Sequence, residues 1–177
     1  HLQALRSLPH KLMETLSLEK EVITLAKSLS AKKAMLYLGR GLYSPVAQEG
    51  ALKMKEIAYI YAMAYPAGEL KHGPLALVEE GLPVIFLSPG DAFLEKNLSN
   101  VQEIKARGGD LVVLTDQKGV SQLHGLEVST LTLPETCSMT GPFVYTAALQ
   151  LLAYHVSLLK GYDVDKPRNL AKSVTVE

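Results

Sequence analysis

The chain of 177 residues reads as an α/β sandwich, a single domain built around a parallel sheet of five strands. Three features predict this. Short apolar runs recur at 34–38, 62–65, 83–87, 110–115 and 127–133. Helical segments lie between several of them. Most of the runs are near-continuous rather than alternating, as in strands covered on both faces. No repeat, linker or low-complexity tract breaks the pattern.

Taken in order, Leu2 to Leu16 and Leu18 to Leu29 carry apolar residues at helical spacing (Leu18, Val22, Leu25, Leu29), with Ser17 placed to cap the second helix. The first strand, "AMLYL", is followed by "GRGLYSP". There two glycines make a turn, Ser44 is the candidate N-cap and Pro45 the first helical residue. That helix is expected to reach about Tyr61. The second strand, "AMAY", leads into "PAGELKHGP". The third, "PVIFL", leads into "SPGD" and a helix from Ala92 to Arg107, closed by Gly108 and Gly109. "DLVVLT" and "EVSTLTL" complete the sheet. Thr136 to Leu159 has no acidic or basic side chain apart from His155 and is long enough to cross a bilayer. However, Thr146, Gln150, His155 and Ser157 are too many polar groups for a lipid-facing helix, so Pro142 to Lys160 is expected to be buried within the protein. The tail from Gly161 to Glu177 is polar, carries both signs of charge and lies outside the sheet pattern.

Composition narrows the function classes. Hydrophobic residues are 47% and charged residues 20%, which is globular. Eighteen basic and 18 acidic residues balance, and no lysine- or arginine-rich run occurs, so neither nucleic acid nor an anionic membrane is an expected partner. The lone cysteine, Cys137, excludes an internal disulfide framework and fits a reducing compartment, the cytoplasm. No pair of histidines or carboxylates has metal-ligand spacing, and neither a metal nor a cofactor is expected. No signal peptide is legible at His1, and the chain begins inside a helical pattern, as expected of a piece of a longer protein.

In open α/β sheets ligands gather at the carboxyl ends of the strands, which makes "GRGLYS", "PAGELKHGP" and "SPGD" the candidate loops. "GRG" has half of a dinucleotide fingerprint but lacks the third glycine, and reads as a tight turn into a helix. On that helix Glu49, Lys53 and Glu56 fall within a sector of ~60°, beside the apolar face of Val46, Gly50, Met54, Ile57 and Tyr61. The stripe is either a ladder of exposed ion pairs or the seat of a general base, Glu56, tuned by Lys53. "GELKHGP" is either a solvated loop or a place where His72, beside Glu69 and Lys71, delivers a proton near neutral pH. His155, mid-helix among leucines, reads as a core histidine. Lys172 in "RNLAKSV" is either a surface lysine or a desolvated one able to form a Schiff base.

Two stretches carry a wider resemblance: "EGALKMKEIAYIYAMAYPAGELKHGPLALVEEGLPVI" and "LQLLAYHVSLLKGYDVDKPRNLAKSVTVE". They resemble the glucosamine-6-phosphate synthase family, also called glutamine–fructose-6-phosphate transaminase (isomerizing), over essentially the whole chain. The match is to its last sugar-isomerase (SIS) domain. The resemblance implies a three-layer α/β/α sandwich with a five-stranded parallel sheet, spanning residues 1–177, of which 162–177 form an active-site tail. It implies conversion of fructose 6-phosphate and glutamine to glucosamine 6-phosphate and glutamate. Glu56 then resembles the residue that moves a proton between C1 and C2, with Lys53 and Ala171 as its neighbours in the substrate site. His72 resembles the ring-opening histidine, donated to the other subunit of a homodimer. Lys172 resembles the lysine that engages the sugar carbonyl. The family's glutaminase and first sugar-isomerase domain have no counterpart in this chain, and the phosphate loop Ser-x-Ser-Gly-x-Thr is replaced by "LSPGDAFLEK". The isolated chain is therefore expected to be inactive. The alternative reading is a non-catalytic regulatory domain that binds a sugar phosphate, and a third is a dimerisation scaffold.

Overall fold

In the computed structural model, residues 2–170 are described. The chain runs α1 (Leu2–Ser17), α2 (Glu19–Leu29), β1 (Ala34–Gly39), α3 (Tyr43–Ala58) and β2 (Tyr61–Pro66), followed by two 3₁₀ helices, Ala67–His72 and Pro74–Leu77. Then come β3 (Pro83–Leu87), α4 (Leu94–Lys105), β4 (Asp110–Thr115), α5 (Gln117–Gln122), β5 (Ser129–Thr132) and α6 (Gly141–Leu159). All five strands pair in parallel in the order β2-β1-β3-β4-β5, so β2 is an edge strand.

The apolar runs of the three central strands β1, β3 and β4 are continuous because each is covered twice. Met35 and Tyr37, Ile85 and Leu87, and Val112 and Leu114 point to one side, where they pack with α2, α3 and α6. Leu36 and Leu38, Val84 and Phe86, and Leu111 and Val113 point to the other, where Ala67, Leu70, Val101 and Ile104 cover them. This is the three-layer α/β/α sandwich. α1 packs on α6 outside the first layer. Helix α6 is long and apolar enough to cross a membrane, yet Val144, Tyr145, Leu149, Leu152 and Val156 are buried in the first core. His155 is buried against α2, with Nε2 3.1 Å from Glu19 Oε1.

Several expected boundaries move. Ser17 does not cap α2: its hydroxyl donates back to the Glu14 carbonyl at 2.6 Å, and Leu18 takes the cap position. Helix α3 starts two residues before Pro45, at Tyr43, because Leu42 is already in the right-handed helical region (φ −61°, ψ −20°) and the N–H groups of Tyr43 and Ser44 find the carbonyls of Arg40 and Gly41. It ends at Ala58 rather than Tyr61, since Tyr59 adopts a left-handed conformation (φ 54°). Helix α4 begins at Leu94, β5 spans only Ser129–Thr132, and the polar α5 was not foreseen.

"GELKHGP" is not a loop hanging off the sheet. It forms most of the first 3₁₀ helix, which folds back over the second face with Ala67 and Leu70 fully buried.

Gly39 closes the "GRG" turn by close approach. A Cβ there would run into the Tyr43 carbonyl oxygen, which is backbone and cannot swing away. Gly39→Ala is therefore expected to cost about 1–3 kcal/mol, as overpacking does, a fall of roughly 2–12 °C in Tm. Thermal unfolding checks this, and an unchanged Tm would show that α3 can shift at no cost.

Candidate active site

Glu56 sits in the last turn of α3. Lys53 Nζ donates to Glu56 Oε2 at 2.6 Å and lies 3.9 Å from Glu49 Oε1, which in turn accepts from Gln150 of α6 at 3.2 Å. The stripe is thus the predicted i,i+3 and i,i+4 ladder. It is not freely solvated, because the Lys53 and Glu56 side chains are only 30% and 29% exposed. The hydrogen bond that Lys53 donates to Glu56 is the largest influence on the lysine's pKa and raises it. Partial burial opposes this, and the charges of Glu56 and Glu49 add to it.

Glu56 opens onto a crevice of about 560 Å³ between the end of α3, the start of β2 and the tail residues Arg168, Asn169 and Leu170. Among the described residues that line it, the cations Lys33, Lys55 and Arg168 outnumber the one carboxylate. Because α3 returns from the carboxyl ends of the strands, this crevice lies at their amino ends, not at the carboxyl ends where ligands were expected. Tyr59 pins the tail to it. The Tyr59 hydroxyl accepts the Arg168 backbone N–H at 2.8 Å, the Arg168 guanidinium stacks 4.1 Å from the ring centroid, and the Tyr162 ring lies 4.8 Å away. Asn169 takes a left-handed turn (φ 61°). The tail up to Leu170 is therefore anchored rather than a free strap.

His72 stands elsewhere. In a 3₁₀ helix residues three apart eclipse, and this brings Glu69 Oε2 within 2.8 Å of His72 Nδ1. A carboxylate only accepts, so Nδ1 carries the proton and Nε2 is left for another partner. The His72 side chain is 73% exposed and Glu69 61%. Helix α3 belongs to one layer and the 3₁₀ helix to the other, so the sheet separates Glu56 from His72 within one chain.

The carboxyl edge carries a smaller crevice of about 290 Å³, lined among others by Tyr43, Pro89, Gly90, Asp91, Asp116 and Cys137. It is unsuited to phosphate. Pro89 has no N–H, and the Gly90 N–H is already taken by Asp116 Oδ2 at 2.9 Å. Burial, and then the nearby Asp91, push the Tyr43 phenol up to about 12, so it stays protonated.

The structure thus brings Lys53 and Glu56 together, puts His72 on the opposite face, and leaves Ala171 and Lys172 outside the described residues. Sequence reasoning missed Tyr59 and Arg168, whose contact spans 109 residues, and the cations Lys33 and Lys55. The one local signal was that Tyr59 follows directly on the "KEIA" that carries Glu56.

A parallel five-stranded sandwich with a cation-lined crevice around a held carboxylate has the build of a sugar-isomerase domain. Residues 28–160 match the SIS domain family, and the chain belongs to it. The glutamine–fructose-6-phosphate aminotransferase [isomerizing] of Bordetella pertussis is 53% identical over 178 aligned positions, covering 100% of this chain and 29% of that protein. The enzyme of the same name from Yersinia pseudotuberculosis is 53% identical over 175, covering 98% and 28%. Among solved structures, the C-terminal domain of glucosamine-fructose-6-phosphate aminotransferase from Francisella tularensis superposes with a TM-score of 0.89 at 44% identity, covering 93% of this chain and 46% of that one. The chain spans under a third of the length of these curated relatives.

The Lys53–Glu56 pair makes a pH prediction. A lysine whose folded pKa is raised contributes stability that is fully present below the unfolded value of about 10.4 and is lost as pH rises through the folded value. Tm should therefore fall less steeply above that pH in Lys53→Gln than in the parent, with a constant gap between them from neutral pH upward to about 10. Parallel slopes throughout would mean that the pair is not formed in solution.

Proposed function

We propose that this chain is the C-terminal isomerase domain of a synthase that converts fructose 6-phosphate and glutamine to glucosamine 6-phosphate and glutamate, acting in the cytoplasm. The observation that carries the reading is a single one. Glu56, held by Lys53 at 2.6 Å, opens onto a crevice whose far wall is the segment leading directly to Lys172. Lys172 lies two residues beyond Leu170, at most ~7 Å of chain.

In this reading the substrate carbonyl at C2 condenses with the Lys172 amine and releases water. Ammonia from glutamine then displaces the lysine and leaves a C2 imine. Glu56 takes a proton from C1 as the imine nitrogen gains one, giving an enaminol, and returns its proton to C2 while the C1 hydroxyl gives up the proton that balances the one on nitrogen and becomes the aldehyde. Lys53 keeps Glu56 oriented, and Ala171 is assigned to the substrate site by resemblance alone. His72, its Nδ1 tied to Glu69, works through Nε2 as the acid that opens the cyclic sugar. Because His72 and Glu56 lie on opposite faces of one sheet, His72 serves the Glu56 site of a second copy in a homodimer. The cations around the crevice suit an anionic sugar. The phosphate itself needs a cradle from outside this chain, since "LSPGD" offers none.

In a full-length synthase whose last domain is this chain, Glu56→Gln should lower turnover ~100- to 10,000-fold with little change in affinity for fructose 6-phosphate, since amide and carboxylate share a shape. A loss below tenfold would return Glu56 to a surface ladder.

Sharing of the site is tested by mixing. Glu56→Gln and His72→Ala subunits, each inactive alone, should regain partial activity when co-assembled, because one of the two shared sites is then intact. No recovery in verified mixed dimers would place both residues in one subunit's site. Finally, borohydride with fructose 6-phosphate should leave a reduced adduct on Lys172, and labelling of Lys53 instead would overturn that role.

A further inference from the structure

The arginine of "GRG" has no dinucleotide to serve, yet it is tightly engaged. Arg40 Nε donates to Asn97 Oδ1 at 3.2 Å and Nη2 to Asn100 Oδ1 at 3.0 Å, and both asparagines of α4 are buried. Asn100 Nδ2 donates onward to Glu103 Oε2 at 3.5 Å, and Glu103 Oε1 accepts from Lys71 Nζ at 2.8 Å. Lys71 is the residue before His72. Arg40 also braces the start of the same segment, since a Cβ on Gly68 would come within 3.2 Å of Arg40 Nη1. The network therefore runs from the end of β1 through α4 and returns at both ends of the 3₁₀ helix.

Two features set this apart from ordinary fold maintenance. Ala67 and Leu70 already anchor the 3₁₀ helix from below, at 0% exposure. The Lys71 side chain, by contrast, is 64% exposed and still held to Glu103, an ion pair too solvated to stabilise a fold by much. The pair ties the residue next to His72 to helix α4. Lys71, first through its hydrogen bond, holds the Glu103 carboxyl below the usual glutamate range, so the pair persists across neutral pH.

We propose that Arg40, Asn100 and Glu103 are positioning residues for His72, forming the mount from which its imidazole is presented to a neighbouring subunit's sugar. This rests on the reading of His72 as the ring-opening acid. The mount then affects one step, the opening of the cyclic sugar, and leaves the proton transfer by Glu56 alone.

The test compares two substrates in the full-length synthase carrying this chain: fructose 6-phosphate, and its 5-deoxy analogue, which lacks the hydroxyl that closes the ring and is always open. Glu103→Gln should lower kcat for fructose 6-phosphate ~10- to 100-fold at unchanged KM, the scale of a small misplacement of a reacting group, and keep kcat for the analogue within about twofold. Lys71→Gln should match it, and the double variant should lose no more than either single one. Equal losses on both substrates, or none on either, overturn the proposal. His72→Ala is measured beside them. If it turns over fructose 6-phosphate normally, the reading of His72 itself fails; if it loses that turnover while Glu103→Gln does not, only the mount fails.

Discussion

Edge strand β2 is the constraint on which the placement of chemistry depends. Helix α3 leaves β1 at the carboxyl ends and must return to the amino ends before β2 can run parallel to β1, so its last turn delivers Glu56 to the amino edge on one face. After β2 the chain has to come back again to start β3. It does so through two short 3₁₀ helices on the other face rather than through a second long helix. Glu56 and His72 are only sixteen positions apart in sequence, and the strand between them puts the thickness of the sheet between their side chains. Parallel pairing, rather than any property of the two side chains, separates Glu56 from His72.

What the sequence made legible was what local periodicity encodes. The three central strands β1, β3 and β4 announced themselves because both faces of each are buried, and the Lys53–Glu56 ladder followed from helical spacing alone. "GELKHGP" misled because the buried residues of the 3₁₀ helix it mostly forms, Ala67 and Leu70, are three apart within six residues, too short a segment for a pattern and rich in the residue types of a solvated turn. Ser17 and Ser44 looked like caps, but a serine can bond backwards to a carbonyl three residues earlier, as Ser17 does. The motifs identified Glu56 and His72 as a set without saying that they lie in different layers, since layer assignment is a property of topology. Contacts such as Arg168 with Tyr59 and Lys71 with Glu103 join segments far apart in sequence and leave no local trace.

The two edges of the sheet have diverged electrostatically. At the carboxyl edge, Asp116 accepts the Gly90 N–H through one oxygen and caps α5 through the other, from Gly119 N–H at 3.0 Å. One side chain thus both starts a helix and occupies the donor that an anion would need. With Asp91 beside it, and neither lysine nor arginine among the described residues lining that crevice, the usual ligand position of an α/β sheet is closed to phosphate. The amino edge has the opposite lining, with Lys33, Lys55 and Arg168 around Glu56.

Tyr59 ties the amino edge together. A non-glycine residue in the left-handed region costs about 1–2 kcal/mol, and here that conformation ends the helix that carries Glu56 and turns the phenol toward the tail. The ring then holds the Arg168 guanidinium, packs against Tyr162 and accepts the Arg168 backbone N–H. Three contacts on one ring offset the strain, and each would be lost if the helix ran on to Tyr61. The end of α3 and the path of the tail are therefore one structural decision: the residue that stops the helix just past the carboxylate also sets where the chain leading to Lys172 begins.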